Sequence, residues 1–177
     1  ALYFDGQDDR LDLGSADLAQ DTGFSLSFWA KNASSTSPYM TVRLKGPTSE
    51  FSFAVGHCSY TSLPTVFYFG FRGIGTSIRH DDTRYCIDTT LNKWVHYTVT
   101  YNGAGKTNAS SWRLYVNGVA QTGFSTGANI GNFSNASELG SDGPNGGLPS
   151  NYALDDLRVY NRVITSKEAL TIYNSGK

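Results

Sequence analysis

Trp94-Val95-His96-Tyr97-Thr98-Val99-Thr100-Tyr101 is the stretch that decides the fold class. Its residues alternate between Val95, Tyr97, Val99 and Tyr101 on one side and Trp94, His96, Thr98 and Thr100 on the other, the two-residue period of a β-strand. Both sides can be covered, as in a strand central to a curved sheet, and His96 reads as a structural residue within it. Outward from this segment, Phe24, Leu26, Phe28 and Ala30 form a second apolar face opposite Ser25, Ser27 and Trp29.

Further strand signals lie at Ala1–Phe4, Arg10–Leu13, Tyr39–Leu44, Glu50–Val55, Val66–Arg72, Ile78–His80, Trp112–Val116 and Ala153–Tyr160, separated by Gly-, Asn- and Asp-rich turns. Asn117-Gly118 between β residues predicts a type I′ hairpin turn, which needs positive φ at both central positions. One helix is expected after Ile164: Thr165 and Glu168 form a capping-box pattern, Leu170, Ile172 and Tyr173 an apolar stripe, and Asn174 and Gly176 a stop. Gly123–Ser150 reads as long loops around one short strand near Glu138–Gly140. No repeat or second domain is visible, so residues 1–177 read as a single domain.

Composition agrees with an all-β chain. Aromatic residues reach 14% and charged residues only 16%, while helix formers are scarce. The net charge of -1 and pI near 6.3 provide no basic field for nucleic acid or an anionic membrane surface. No run of about 18 apolar residues could span a bilayer, and the sequence as given opens in a strand-like segment, so neither anchor nor signal peptide is read in it. Cys58 and Cys86 lack the paired spacing of a zinc site and could close a loop between neighbouring strands in an oxidising compartment. Sequons at Asn32, Asn108, Asn132 and Asn135 would matter only in a eukaryotic secretory route.

These signals occur in an order that resembles the laminin-G-like, concanavalin A-like family, specifically the bacterial-type modules of polysaccharide-active enzymes and adhesins. The resemblance rests on Leu2-Tyr3-Phe4-Asp5-Gly6-Gln7-Asp8-Asp9, Phe24–Lys31, Lys93–Gly103, the Leu114–Val119 hairpin and Leu154-Asp155-Asp156-Leu157-Arg158-Val159-Tyr160-Asn161-Arg162. It implies an antiparallel two-sheet jelly-roll sandwich with paired terminal strands, plus the short C-terminal helix, in an extracellular, secreted or cell-surface protein. It also implies a structural calcium near the termini, with Asp5, Asp8, Asp9 and Asp155 as side chains to test and Gly6 as a carbonyl donor. Calcium takes six to eight hard oxygens. The same aspartates have a plainer reading, in which Asp9 caps a turn or pairs with Arg10 or Arg158 and Asp155 bonds backbone amides.

Function divides into three classes. Paired-acid glycoside hydrolysis lacks a clear residue set, since Glu50 and Glu168 have no acidic neighbour two or four positions away, Glu138 has only Asp142 beyond Gly140-Ser141, and adjacent aspartates in a strand point to opposite faces. Polysaccharide lyase chemistry would need a Tyr, His and Arg cluster, which His57, His80, Tyr68, Tyr85, Arg72 and Arg79 could supply without any motif to frame them. Gly-rich stretches such as Gly140–Gly147 precede no helix, so no phosphate loop is read here. The leading expectation is a non-catalytic, lectin-like carbohydrate-binding module taking a polysaccharide or glycan, and the alternative is an adhesive domain that contacts other surface proteins. Tyr68, Arg72, Arg79, His80, Arg84 and Tyr85 offer flat apolar faces and bidentate donors suited to sugars. A groove lined with aromatic residues would favour sugar, and a broad apolar patch or open strand edge would favour protein.

Overall fold

The computed structural model describes residues 1–9, 11–12, 22–33, 39–45, 50–56, 67–72, 77–80, 90–105, 108–127, 138–139 and 151–176. The alternation in Phe24–Ala30 and Trp94–Tyr101 seeds the first sheet: β3 (Phe24–Asn32) pairs with β8 (Trp94–Tyr101) from Phe24 opposite Tyr101 to Lys31 opposite Trp94. On the other side of β3 lies β13 (Asn151–Tyr160), and beyond it β1 (Leu2–Asp5), so the terminal strands pair as expected. β9 (Trp112–Val116) and β10 (Val119–Ala120) complete a six-stranded sheet of order β1-β13-β3-β8-β9-β10.

The second sheet is built from β2 (Leu11–Asp12), β4 (Tyr39–Lys45), β5 (Glu50–Gly56), β6 (Phe67–Arg72), β7 (Ser77–His80), β11 (Phe124–Gly127) and β12 (Glu138–Leu139), in the order β11-β7-β6-β5-β4-β12-β2. Every registered pair in both sheets is antiparallel. β11 falls inside the stretch expected to be loops. Phe124-Ser125-Thr126-Gly127 holds one large apolar residue, too few to mark a strand, and its pairing with β7 supplies what local propensity does not.

The sheets meet through aromatic rings. Phe24 and Phe28 approach Phe51 and Phe53 edge-to-face at 5.3 and 5.4 Å, and Trp112 stacks on Phe51 at 5.9 Å. All five are buried. Truncating such a ring to alanine costs about 3–5 kcal/mol.

The outer face of the six-stranded sheet is covered too, which alternation alone does not foretell: Ser25, Ser27, His96, Thr98 and Thr100 are buried. The C-terminal segment lies over them. Ser25 Oγ donates to the Arg162 carbonyl at 2.8 Å and accepts from the Ile164 N–H at 3.0 Å. Ile164 and Ala169 then pack with Tyr115 as a second small core. The helix α1 (Ser166–Ser175) starts with the expected capping box, and Arg162 grips Glu168 through both guanidinium nitrogens at 2.7 and 3.1 Å. The Arg162 bonds, with those from the Thr165 backbone and side chain, hold the Glu168 carboxyl at about 2. Of the sequon asparagines, Asn32 is buried and donates to Thr90 Oγ1, so it is closed to glycosylation as folded.

The Asn117-Gly118 turn has φ of 52° and 75°, the positive pair a type I′ turn requires. A Cβ on Gly118 would lie 2.9 Å from Leu170 Cδ1, so α1 seats directly on this turn. Gly123, with φ of 85°, has nothing within 4 Å. Gly123→Ala should therefore cost about 1 kcal/mol, and Gly118→Ala about 2–4 kcal/mol, in urea unfolding. Equal losses would mean that α1 does not rest on the hairpin.

Candidate functional site

Two adjacent rungs of the six-stranded sheet frame an open groove of about 870 Å³ on its outer face. Along one rung the register aligns Asp155 with Trp29 and Trp29 with His96. Asn117 continues that rung: its N–H donates to the His96 carbonyl and its Oδ1 accepts from the His96 N–H. Along the next rung Tyr3 faces Ala153, Ala153 faces Lys31, and Lys31 faces Trp94. Tyr3 is 74% and Trp94 38% exposed, two aromatic side chains left open beside the groove. Tyr173 and Gly176 of the C-terminal segment close the end over Trp29.

Trp29 is the hinge of the arrangement. Its indole stacks on Tyr173 at 5.6 Å and lies 5.1 Å from the His96 ring, and a Cβ on Gly176 would collide with its indole nitrogen. Neither Trp29 Nε1 nor His96 Nδ1 has a protein hydrogen-bond partner, whereas His96 Nε2 bonds to Ser27 Oγ at 2.9 Å. Burial pushes the His96 pKa down to about 4; the Asp156 carboxylate opposes that shift and Arg158 adds to it. His96 is therefore neutral at neutral pH.

The β13 bulge between Asp155 and Arg158 turns the acidic pair toward the groove. Asp156 takes a positive φ of 50° and bonds Arg158 Nε at 2.7 Å. Asp155 accepts from the Asp156 N–H and lies 3.6 Å from the Ala1 amine. The backbone-amide reading of Asp155 thus holds. The arrangement can stack flat apolar faces and offer hydrogen-bond acceptors beside them.

The expected calcium ligands are only partly assembled. One oxygen from each of Asp5, Asp8 and Asp9 lies within 4.8 Å of the others, the separation reached by oxygens on opposite sides of a calcium ion at about 2.4 Å. Gly6, at φ of 80°, forms the turn between them. The carboxylates are exposed and accept hydrogen bonds within the turn, Asp9 from the Asp5 N–H and Asp5 from the Gln7 N–H and amide. Asp155 does not join them. Asp5 pairs with Asn151 and Leu2 with Leu154, so Asp155 sits beyond Leu2, roughly 13 Å along the strands from Asp5.

Of the expected sugar-contacting residues, Tyr68 is in register with Arg79, and Arg72 with Glu50. Those positions share the parity opposite to buried Phe51, Phe53 and Val55, but His80 pairs with Phe67 and falls in the other parity. For these four the description covers the backbone, and Arg84, Tyr85, Cys58 and Cys86 lie outside the described residues. The groove residues Tyr3, Trp29 and Trp94 were not singled out as ligand contacts from the sequence. Their signal was present: each is a large aromatic at the outward parity of a half-polar strand.

A family model described as the concanavalin A-like lectin/glucanases superfamily matches residues 5–169. No curated protein matches. Among solved structures, the binding domain of botulinum neurotoxin serotype D is 13% identical with a TM-score of 0.62, covering 98% of this chain and 42% of that one. The serotype G binding domain is 12% identical with a TM-score of 0.59, covering 98% of this chain and 42% of that one. The heptameric SAP-like pentraxin of Limulus polyphemus is 16% identical with a TM-score of 0.54, covering 97% of this chain and 80% of that one. The chain thus spans less than half of the toxin domains it resembles, and at these identities the likeness is one of fold. Among the described residues no helix is long and apolar enough to cross a membrane.

Because the folded His96 pKa lies below its unfolded value, the unfolded chain binds the extra proton between about pH 6.5 and 4, and stability should fall as pH drops through that window. His96→Gln, which keeps a partner for Ser27, should flatten this part of a thermal-midpoint profile. An unchanged slope in the variant would exclude His96 as its source.

Proposed function

This chain belongs to the concanavalin A-like lectin/glucanases superfamily, and from that premise we propose that it is a non-catalytic carbohydrate-binding domain of an extracellular protein. The observation that carries the reading is the groove in which Tyr3 and Trp94 present exposed rings beside Asp155 and Asn117. Aromatic faces suit the apolar C–H faces of sugar rings, and a few convergent polar groups fix orientation through hydroxyls. A non-catalytic role is supported by the state of the acids. Asp156, which lines the groove, is tied to Arg158, and Glu168 to Arg162, so neither of these two acids stands as a free catalytic carboxylate.

The reading includes a structural calcium on Asp5, Asp8 and Asp9, with the Gly6 carbonyl as a further donor; the ion would hold the first turn rigid after β1. Asp155 is left out of that set.

Affinity electrophoresis through neutral and anionic polysaccharides tests the binding role. Retardation is expected, with Trp94→Ala weakening it at least about fivefold while the thermal midpoint stays put. No retardation in any polysaccharide, or sustained release of reducing ends or unsaturated products, would overturn the proposal. For the metal, calcium should raise the thermal midpoint and Asp5→Asn with Asp8→Asn should abolish that rise. A midpoint indifferent to both calcium and chelator would remove the ion from the account.

A further inference from the structure

We infer, resting on the carbohydrate-binding reading above, that the groove is an array of subsites for the interior of a linear, uncharged glycan chain that crosses the strands. It does not resemble a pocket for a single terminal sugar. The inference comes from the rung Tyr3, Ala153, Lys31, Trp94, whose four positions lie on four neighbouring strands and share the outward face. Three inter-strand steps of roughly 4.8 Å place the backbones of Tyr3 and Trp94 roughly 14 Å apart. Single bonds near 1.5 Å make a pyranose unit in a chain advance roughly 5 Å. The two platforms are therefore spaced for sugar rings three units apart, and a single ring touches only one of them.

The composition of the ground between the platforms fits the same ligand. Ala153 is small and buried, so its own side chain raises no wall between Tyr3 and Lys31. The second rung runs parallel and offers Asp155 and Asn117 along the flank, where hydroxyls of successive rings would pass. Charges of both signs sit together there. Asp155 stands on one rung with the Ala1 amine 3.6 Å away, Lys31 stands on the next, and the Asp156 carboxylate is matched by Arg158. A uronate or an amino sugar would meet one attractive and one repulsive partner, whereas an uncharged chain can use both as hydrogen-bonding groups.

Calorimetric titration with linear gluco-, manno-, xylo-, uronate and amino-sugar oligosaccharide ladders of one to six units tests the inference. For the ladder that binds, affinity should climb to about four units and then level, and Tyr3→Ala, at an exposed site, should remove at least about fivefold of the four-unit affinity while leaving two-unit affinity within about twofold. Equal affinity for one unit and six, with both lost in Trp94→Ala, would overturn the subsite array yet leave sugar binding intact. Preference of more than about tenfold for a uronate or amino-sugar ladder would overturn its uncharged character. Failure of every ladder to bind would overturn both readings.

Discussion

The outer surface of this sandwich depends on one hydroxyl. Ser25 Oγ, on the central strand β3, holds the Arg162 carbonyl and the Ile164 N–H at once, bonding residues 137 and 139 positions away. Those two bonds lay the C-terminal segment across the six-stranded sheet and let Ile164 and Ala169 bury themselves against Tyr115. They satisfy a backbone donor and acceptor that would otherwise be desolvated without partners, at a cost of about 1–3 kcal/mol for each orphan. With the segment so placed, Tyr173 reaches Trp29 and fixes the closed end of the groove. The open end keeps Tyr3 and Trp94, so a covering built for stability also delimits the surface left for a ligand.

This covering explains the polar residues on the outward parity of β3 and β8. Small hydroxyl side chains fit under a closely packed segment and can bond its backbone, whereas large apolar ones would hold it off. Toward the groove the same parity changes to Trp29, still under Tyr173, and then to the exposed Trp94. His96 marks the border: its Nε2 bonds Ser27 beneath the segment and its ring faces Trp29 and Tyr173 at the groove. Burial keeps it uncharged at neutral pH.

How much was legible in the sequence varied with how local the cause was. The Asn117-Gly118 turn, the Thr165 capping box and the alternation in Trp94–Tyr101 are set by residues within a few positions of one another, and each is found where local rules put it. The pairing of the terminal strands was readable only through family resemblance, because nothing local in Leu2–Asp5 names Asn151–Tyr160 as its partner. β11 was missed because its pairing with β7, and not its own residues, makes it a strand. The site was harder still. Motif reasoning grouped Asp155 with Asp5, Asp8 and Asp9, but antiparallel register sends those positions to different ends of the paired strands. The groove draws on β1, β3, β8, β13, the hairpin turn and the C-terminal helix, a convergence no linear spacing records.

The chain has three tryptophans, and they divide the molecule in a way that tests the central claim. Trp94 and Trp29 line the groove, while Trp112 is fully buried between the sheets. Titrating the isotopically labelled protein with an oligosaccharide and following the three indole N–H resonances reads each position separately. The account predicts that Trp94 shifts most, Trp29 shifts with it at the same midpoint, and Trp112 stays in place. Saturable binding that leaves both Trp94 and Trp29 unmoved while amides of Phe67–His80 shift would contradict it, and would transfer the ligand to the opposite sheet.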